Sequence, residues 1–238
     1  MSTLALSLVL AVTAPQPPAP PSPDWLSALR GRVWDAARPL GEGSYRMTCV
    51  LDYVDDEGHV TRRLVLEHLA TFANGELRQE LVSAREDGRD VTDRERKERE
   101  DEARAAGRAR RQWTLDEALE PAIPFLWEAA PYHLEMQQAT NGVARLLYRS
   151  ARNQRTPSAA GWLELDVSDS LPLRHHFVPE PLPRRIRELV TVVRYGRLDG
   201  IAVPESTESV GEGGFLFIRR RFEVRMTYHD WRLKLDEP

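Results

Sequence analysis

From Tyr45 onward the apolar residues fall on every second position. Tyr45, Met47, Cys49, Leu51 and Tyr53 alternate with Arg46, Thr48, Val50, Asp52 and Val54, the two-residue repeat of a strand with one buried face. Asp55-Asp56-Glu57-Gly58 turns the chain into a second strand at about 59–72, with Val60, Leu64 and Leu66 on one side. Asn74-Gly75 is a hairpin signal leading into 77–82. Further strands are expected over 143–148, 161–167, 171–178, 187–195 and 201–206, with a closing pair over 215–224 and 225–235. About nine to eleven strands, with almost no long helices to carry parallel crossovers, predict an antiparallel sheet of sequence neighbours. The fold class is α+β: a curved antiparallel sheet with helices laid against one face.

The segment ahead of the strands has a different character. Residues 4–12 (LALSLVLAV) form a nine-residue apolar run, far short of the roughly 20 residues a spanning helix needs. Val12-Thr13-Ala14 and the Pro-rich PQPPAPPSP follow, so 1–23 reads as a signal peptide and spacer, and the chain as an exported, periplasmic protein that is soluble after cleavage. An uncleaved tail is the other reading, because no Lys or Arg precedes the run and Pro15 would follow the cut. Residues 24–238 then make one β-rich domain. In it Asp24 can cap a helix carrying Trp25, Leu26, Leu29, Val33 and Trp34 at helical spacing.

Two stretches interrupt the strands. Residues 85–111 hold ten basic and nine acidic side chains, which leaves no core face; Thr92-Asp93-Arg94-Glu95 has the capping-box form, so a solvated helix protruding from the body is expected. It is either a spacer or a docking helix for a protein partner. Trp113 to Tyr132 is apolar but broken by Pro121, Pro124 and Pro131, so it can form only short helical turns.

Charge and motif exclude several functions. The 238 residues carry a net charge of −4, against a nucleic-acid partner that needs a basic face. Cys49, the one cysteine, allows no internal disulfide. No G-x-S-x-G elbow is present, and no pair among His59, His68, His133, His175, His176 and His229 has a metal-binding helical spacing. His175 and His176 fall on opposite faces of a strand. Asp55-Asp56, Asp166 with Asp169, and Asp199-Gly200 sit where turns are expected. Gly211, Gly213 and Gly214 read as a loop between long strands, and Arg219-Arg220-Arg221 as an exposed strand edge. No catalytic residue, metal or cofactor is assigned.

The apolar residues carry more information. A sheet that bends enough to have an inside must fill it with side chains, covering helices or a ligand. A roof made of the 25–34 helix and the Pro-broken segment can leave a cavity lined by Met47, Leu51, Leu64, Leu66, Phe125, Leu126 and Trp127; a packed core satisfies the same residues.

Gly161-Trp162-Leu163-Glu164-Leu165-Asp166 followed by Leu171-Pro172-Leu173-Arg174, then Asp199-Gly200-Ile201-Ala202-Val203-Pro204 and the closing Tyr228-His229-Asp230-Trp231-Arg232, resemble strands of the LolA and LolB superfamily of bacterial lipoprotein carriers. The resemblance spans most of residues 24–235. It implies a half-open β-barrel with a helical lid over a hydrophobic cavity that holds acyl chains. It also implies a strand arginine that helps to hold the lid, for which Arg46 is the positional candidate. The function so implied is an exported, non-enzymatic carrier for a lipid or lipoprotein acyl chain. The alternative is an envelope protein-protein interaction module with a packed core, docking through the charged helix.

Overall fold

The computed structural model describes residues 42–73, 76–105, 113–114, 132–140, 142–150, 158–169, 171–180, 182, 186–215 and 218–233. They build twelve strands and one helix. The first part of the chain supplies β1 (Gly43–Val54), β2 (Val60–Ala73), β3 (Glu76–Glu86), β4 (Arg89–Asp90), α1 (Thr92–Ala105) and β5 (Trp113–Thr114). The remainder supplies β6 (Tyr132–Thr140), β7 (Val143–Ser150), β8 (Ser158–Asp166), β9 (Pro172–Glu180), β10 (Ile186–Leu198), β11 (Ile201–Phe215) and β12 (Ile218–Leu233). Ten strands are long, since β4 and β5 have two residues each. The helix expected at 25–34 and the lid helices expected within 113–132 lie outside the described residues.

All the strands join one antiparallel sheet in the order β4-β3-β2-β1-β12-β11-β10-β9-β8-β7-β6, with β5 paired to β3. Its two ends do not pair, so the sheet is open. The first described strand, β1, lies in the middle of the order, and the chain runs outward from it through β2 and β3. It reappears at the far end in β6 and meanders back until β12 lies beside β1. The chain between β5 and β6 therefore links opposite ends of the strand order.

Local chemistry makes the turns. Asp55 Oδ1 accepts the backbone N–H groups of Glu57 and His59 at 3.0 and 2.8 Å, and Gly58 takes φ +88°, a conformation that costs glycine nothing. Asp199 and Gly200, at φ +49° and +80°, turn β10 into β11, as a tight hairpin of the primed type requires. Ala73 pairs with Glu76 across the expected hairpin.

Three expectations are corrected. The closing pair is the single strand β12, which passes Val224 and Arg225 without a turn and pairs Leu51 with Val224 and Val50 with Arg225; the alternation of Phe222, Val224, Met226 and Tyr228 never changes phase. The strand expected to end at 206 continues to 215, so the glycines fall inside β11 rather than in a loop. Pro204 is tolerated because the register shifts beside it, between Arg194 and Tyr195. Arg221, expected at an edge, lies on a strand flanked by β1 and β11. Strand β6 has no counterpart in the sequence reading.

The charged stretch is also less detached than expected. Arg85 and Glu86 end β3, Arg89 and Asp90 form β4, and among the described residues of the stretch Thr92–Ala105 is the helical part. The first turns of α1 dock on β3. Thr92 Oγ1 accepts the Ala84 N–H at 2.9 Å, Arg96 donates to the carbonyls of Leu81 and Val82 at 3.1 and 3.2 Å, and Glu95 is buried. Beyond them Glu98, Arg99, Glu100 and Asp101 are exposed, as a solvated helix should be.

Alternation sorts the side chains into two faces. One carries Leu64, Leu66, Ala70 and Phe72 of β2, Tyr45, Met47 and Cys49 of β1, and Leu146, Leu163 and Leu165 of β7 and β8, all buried. Leu163 is 1% exposed, with Leu146 and His175 opposite it on the flanking strands. Leu163→Ala is expected to cost about 3 kcal/mol, the usual result of a buried Leu truncation that the core cannot refill. A lower denaturant midpoint at unchanged slope is the readout.

Candidate functional site

The apolar face is built from two regions. Around β1, β2 and β12, Tyr45, Met47, Ala70 and Phe72 cluster, with Met226, Tyr228 and Trp231 packed against them. The Tyr45 ring lies 4.4 Å from Trp231 and 5.6 Å from Phe72, centroid to centroid. A second cluster, Cys49, Leu64, Leu66, Leu81 and Ala84, takes in Leu51, Val224 and Val91 beside α1. Across the sheet, on β7 to β9, Leu146, Tyr148, Leu163, Leu165 and His175 are almost wholly buried. His175 Nε2 bonds the Tyr148 hydroxyl, and its ring stacks on Phe177 at 4.8 Å.

Between these regions runs a seam of hydroxyls on β10, β11 and β12. Thr191 Oγ1 and Ser209 Oγ are 2.9 Å apart, Thr207 Oγ1 and the Tyr228 hydroxyl 3.3 Å. Each satisfies the other, so the seam adds polarity without charge.

Burial favours the neutral form of five titratable groups of this face. It pushes the Tyr45 hydroxyl up to about 12, with Tyr228 adding to the rise. Tyr195 and Tyr228 are raised by burial too. Burial raises the Cys49 thiol, with Arg99 opposing. The His68 imidazole is pushed down to about 4, first by burial and second by Arg99. None of these groups is poised to exchange a proton near neutral pH, as a general acid or base would be. A mainly apolar face of this kind is suited to holding an apolar body.

The opposite face is charged. Asp52, 1% exposed, receives Arg63 through two bonds of 2.6 and 2.9 Å and Arg225 through one of 2.7 Å. Trp162 stacks on His176 at 5.2 Å, with the guanidinium of Arg145 4.5 Å from its ring centre. His175 and His176 thus do take opposite faces, as strand alternation requires.

Of the residues expected to line a cavity, Met47, Leu51, Leu64 and Leu66 share the apolar face. Met47, Leu64 and Leu66 are buried and Leu51 is partly buried. Phe125, Leu126 and Trp127 lie outside the described residues. Arg46 is half exposed on the charged face, 3.8 Å from Asp230. The β7–β9 half of the face was missed. The alternation that marks those strands also marks Leu146, Leu163 and Leu165 as inward, and could have found them.

Among the described residues no group of His, Cys, Asp and Glu has a metal-binding arrangement, and no helix is long and apolar enough to cross a membrane. The fold and site define an open, single-sheet antiparallel protein with one apolar and one charged face. No family model and no curated protein matches the chain. Among solved structures, it is similar to a LolA superfamily protein from Nitrosomonas europaea, at 10% identity and TM-score 0.37, over 89% of this chain and 94% of that one. It is also similar to MucB in complex with MucA, at 13% identity and TM-score 0.20, over 88% of this chain and 100% of that one. A MucA/MucB complex from Pseudomonas aeruginosa gives 13% identity and TM-score 0.21 over the same shares.

Proposed function

We propose that this chain is an exported, non-enzymatic binding protein whose apolar sheet face takes a lipid or the acyl part of a lipoprotein. The observation that carries the reading is the run of buried, mainly apolar side chains along that face, from Leu81 of β3 to Leu146 of β7, with the ion pairs of Arg62, Glu86 and Arg94 at one margin. Each methylene transferred to it from water is worth about 0.8 kcal/mol. Affinity would therefore follow chain length more than chemical detail.

The cover in this reading is the 25–34 helix together with the segment that joins β5 to β6. Ten inter-strand steps separate β5, on the outer edge of β3, from β6, about 48 Å if the sheet lay flat. Residues 115–131 would reach about 27 Å as helix and about 60 Å fully extended. A helical cover thus needs the sheet to curl toward it, which is the shape that leaves room for a guest. Its Phe125, Leu126 and Trp127 would close over Met47 and Leu64.

Mass spectrometry of organic extracts of the purified protein tests the reading. Co-purifying lipid, lost when residues 24–34 are deleted from a chain that retains its β-sheet circular dichroism, is the expected result. A clean extract from a protein whose binding to an envelope protein disappears on deletion of 92–111 would instead favour the docking module. The exposed charged turns of α1 beyond its anchored start are the feature that favours this second reading.

A further inference from the structure

We infer that the guest of the apolar face is a free long-chain fatty acid, whose carboxylate is held by Arg99 of α1 and the imidazole of His68. The inference rests on the reading of that face as an acyl site and names its substrate class. His68 lies on β2 between the two apolar clusters, with Met47 opposite it on β1 and Leu81 opposite it on β3. It is 5% exposed, and its Nδ1 has no hydrogen-bond partner among the described residues. A buried polar atom left so is costly, and such atoms call for a specific explanation. A ligand that supplies the missing bond is one. Burial keeps the ring neutral, so it offers one N–H to donate.

The helix supplies the charge. Arg94 is engaged by Glu86 and Glu95, and Arg96 by the carbonyls of Leu81 and Val82. Arg99 is exposed one turn beyond Arg96, whose guanidinium reaches the carbonyl of Leu81, the residue opposite His68, and its positive charge disfavours protonation of His68. A positive charge at the rim of an apolar face, beside a buried neutral imidazole, matches a head that is anionic and accepts hydrogen bonds. A carboxylate has both properties, whereas an esterified acyl chain offers an acceptor but no charge. The tail then lies over the neighbouring Tyr45, Met47 and Phe72.

The test is a fluorescence titration of the full chain with cis-parinaric acid and with its methyl ester. The acid is expected to bind about tenfold more tightly than the ester, a ratio within the reach of one charge-assisted hydrogen bond. In Arg99→Gln, a substitution at an exposed position, and in His68→Phe the ratio should fall to about one. Equal affinities in the unaltered protein, or a preference for acid that survives Arg99→Gln, would overturn the inference while leaving the acyl site standing. Binding of neither probe would remove the acyl site as well. Should His68→Phe fail to fold, Arg99→Gln alone decides.

Discussion

Gly161→Ala is expected to destabilise the protein by about 3 kcal/mol or more, lowering the melting temperature by about 10 °C. A Cβ at this position would stand 1.9 Å from the His176 carbonyl oxygen and 2.8 Å from the Phe177 Cα. Both are backbone atoms of β9, paired through Gly161↔Phe177, so neither can swing aside as a side chain would. Relief requires β8 and β9 to separate, and that exposes Leu163 and His175 two pairs further along. Gly211 is a milder case. Its closest contact is the tip of the Phe222 ring, at 2.4 Å, which can rotate, although the Glu188 carbonyl at 2.8 Å cannot. Gly211→Ala should therefore cost less, and thermal melts of the two variants side by side give the order.

Asp52→Ala is expected to cost about 2–3 kcal/mol near neutral pH. The carboxylate is 1% exposed and accepts three charge-assisted bonds, whereas Arg63 and Arg225 are half exposed and stay hydrated when it is gone. That hydration keeps the loss at the low end for a buried ion pair. The hydrogen bond from Arg63, ahead of that from Arg225, holds the Asp52 carboxyl below the usual carboxylate range, against an opposing push from burial. A depressed folded-state pKa stabilises above the unfolded value, about 3.9, and the contribution is lost as pH falls through the folded value. The gap in unfolding free energy between Asp52→Ala and the unaltered protein should be full at pH 6–7. It should close progressively below about pH 4, as urea titrations across that range will show.

The strands were legible where a single face decides the residue type. Tyr45 to Tyr53 alternates without a break, and the same phase runs from Phe222 to Tyr228. The strand order was not legible. Nothing local in Leu51 or Val224 says that they will pair, and β1 against β12 is set by shape and burial across the whole chain. Docking of α1 was hidden because it uses polar atoms: Arg96 reaches backbone carbonyls and Thr92 a backbone N–H, neither of which leaves a hydrophobic stripe. Arg46 is the opposite case. A period of two already sets it across the strand from Met47, so its place on the charged face was available from the sequence.

Photocrosslinking tests the central claim most directly. A palmitic acid analogue with a diazirine along its tail, irradiated with the full-length protein and mapped by peptide mass spectrometry, reports which face the tail touches. The account predicts adducts on apolar-face residues such as Met47, Leu64, Leu66 and Leu163, competed away by unlabelled palmitate. Adducts confined to the charged face, around Val50, Val65 or Trp162, or labelling that excess palmitate leaves unchanged, would contradict it.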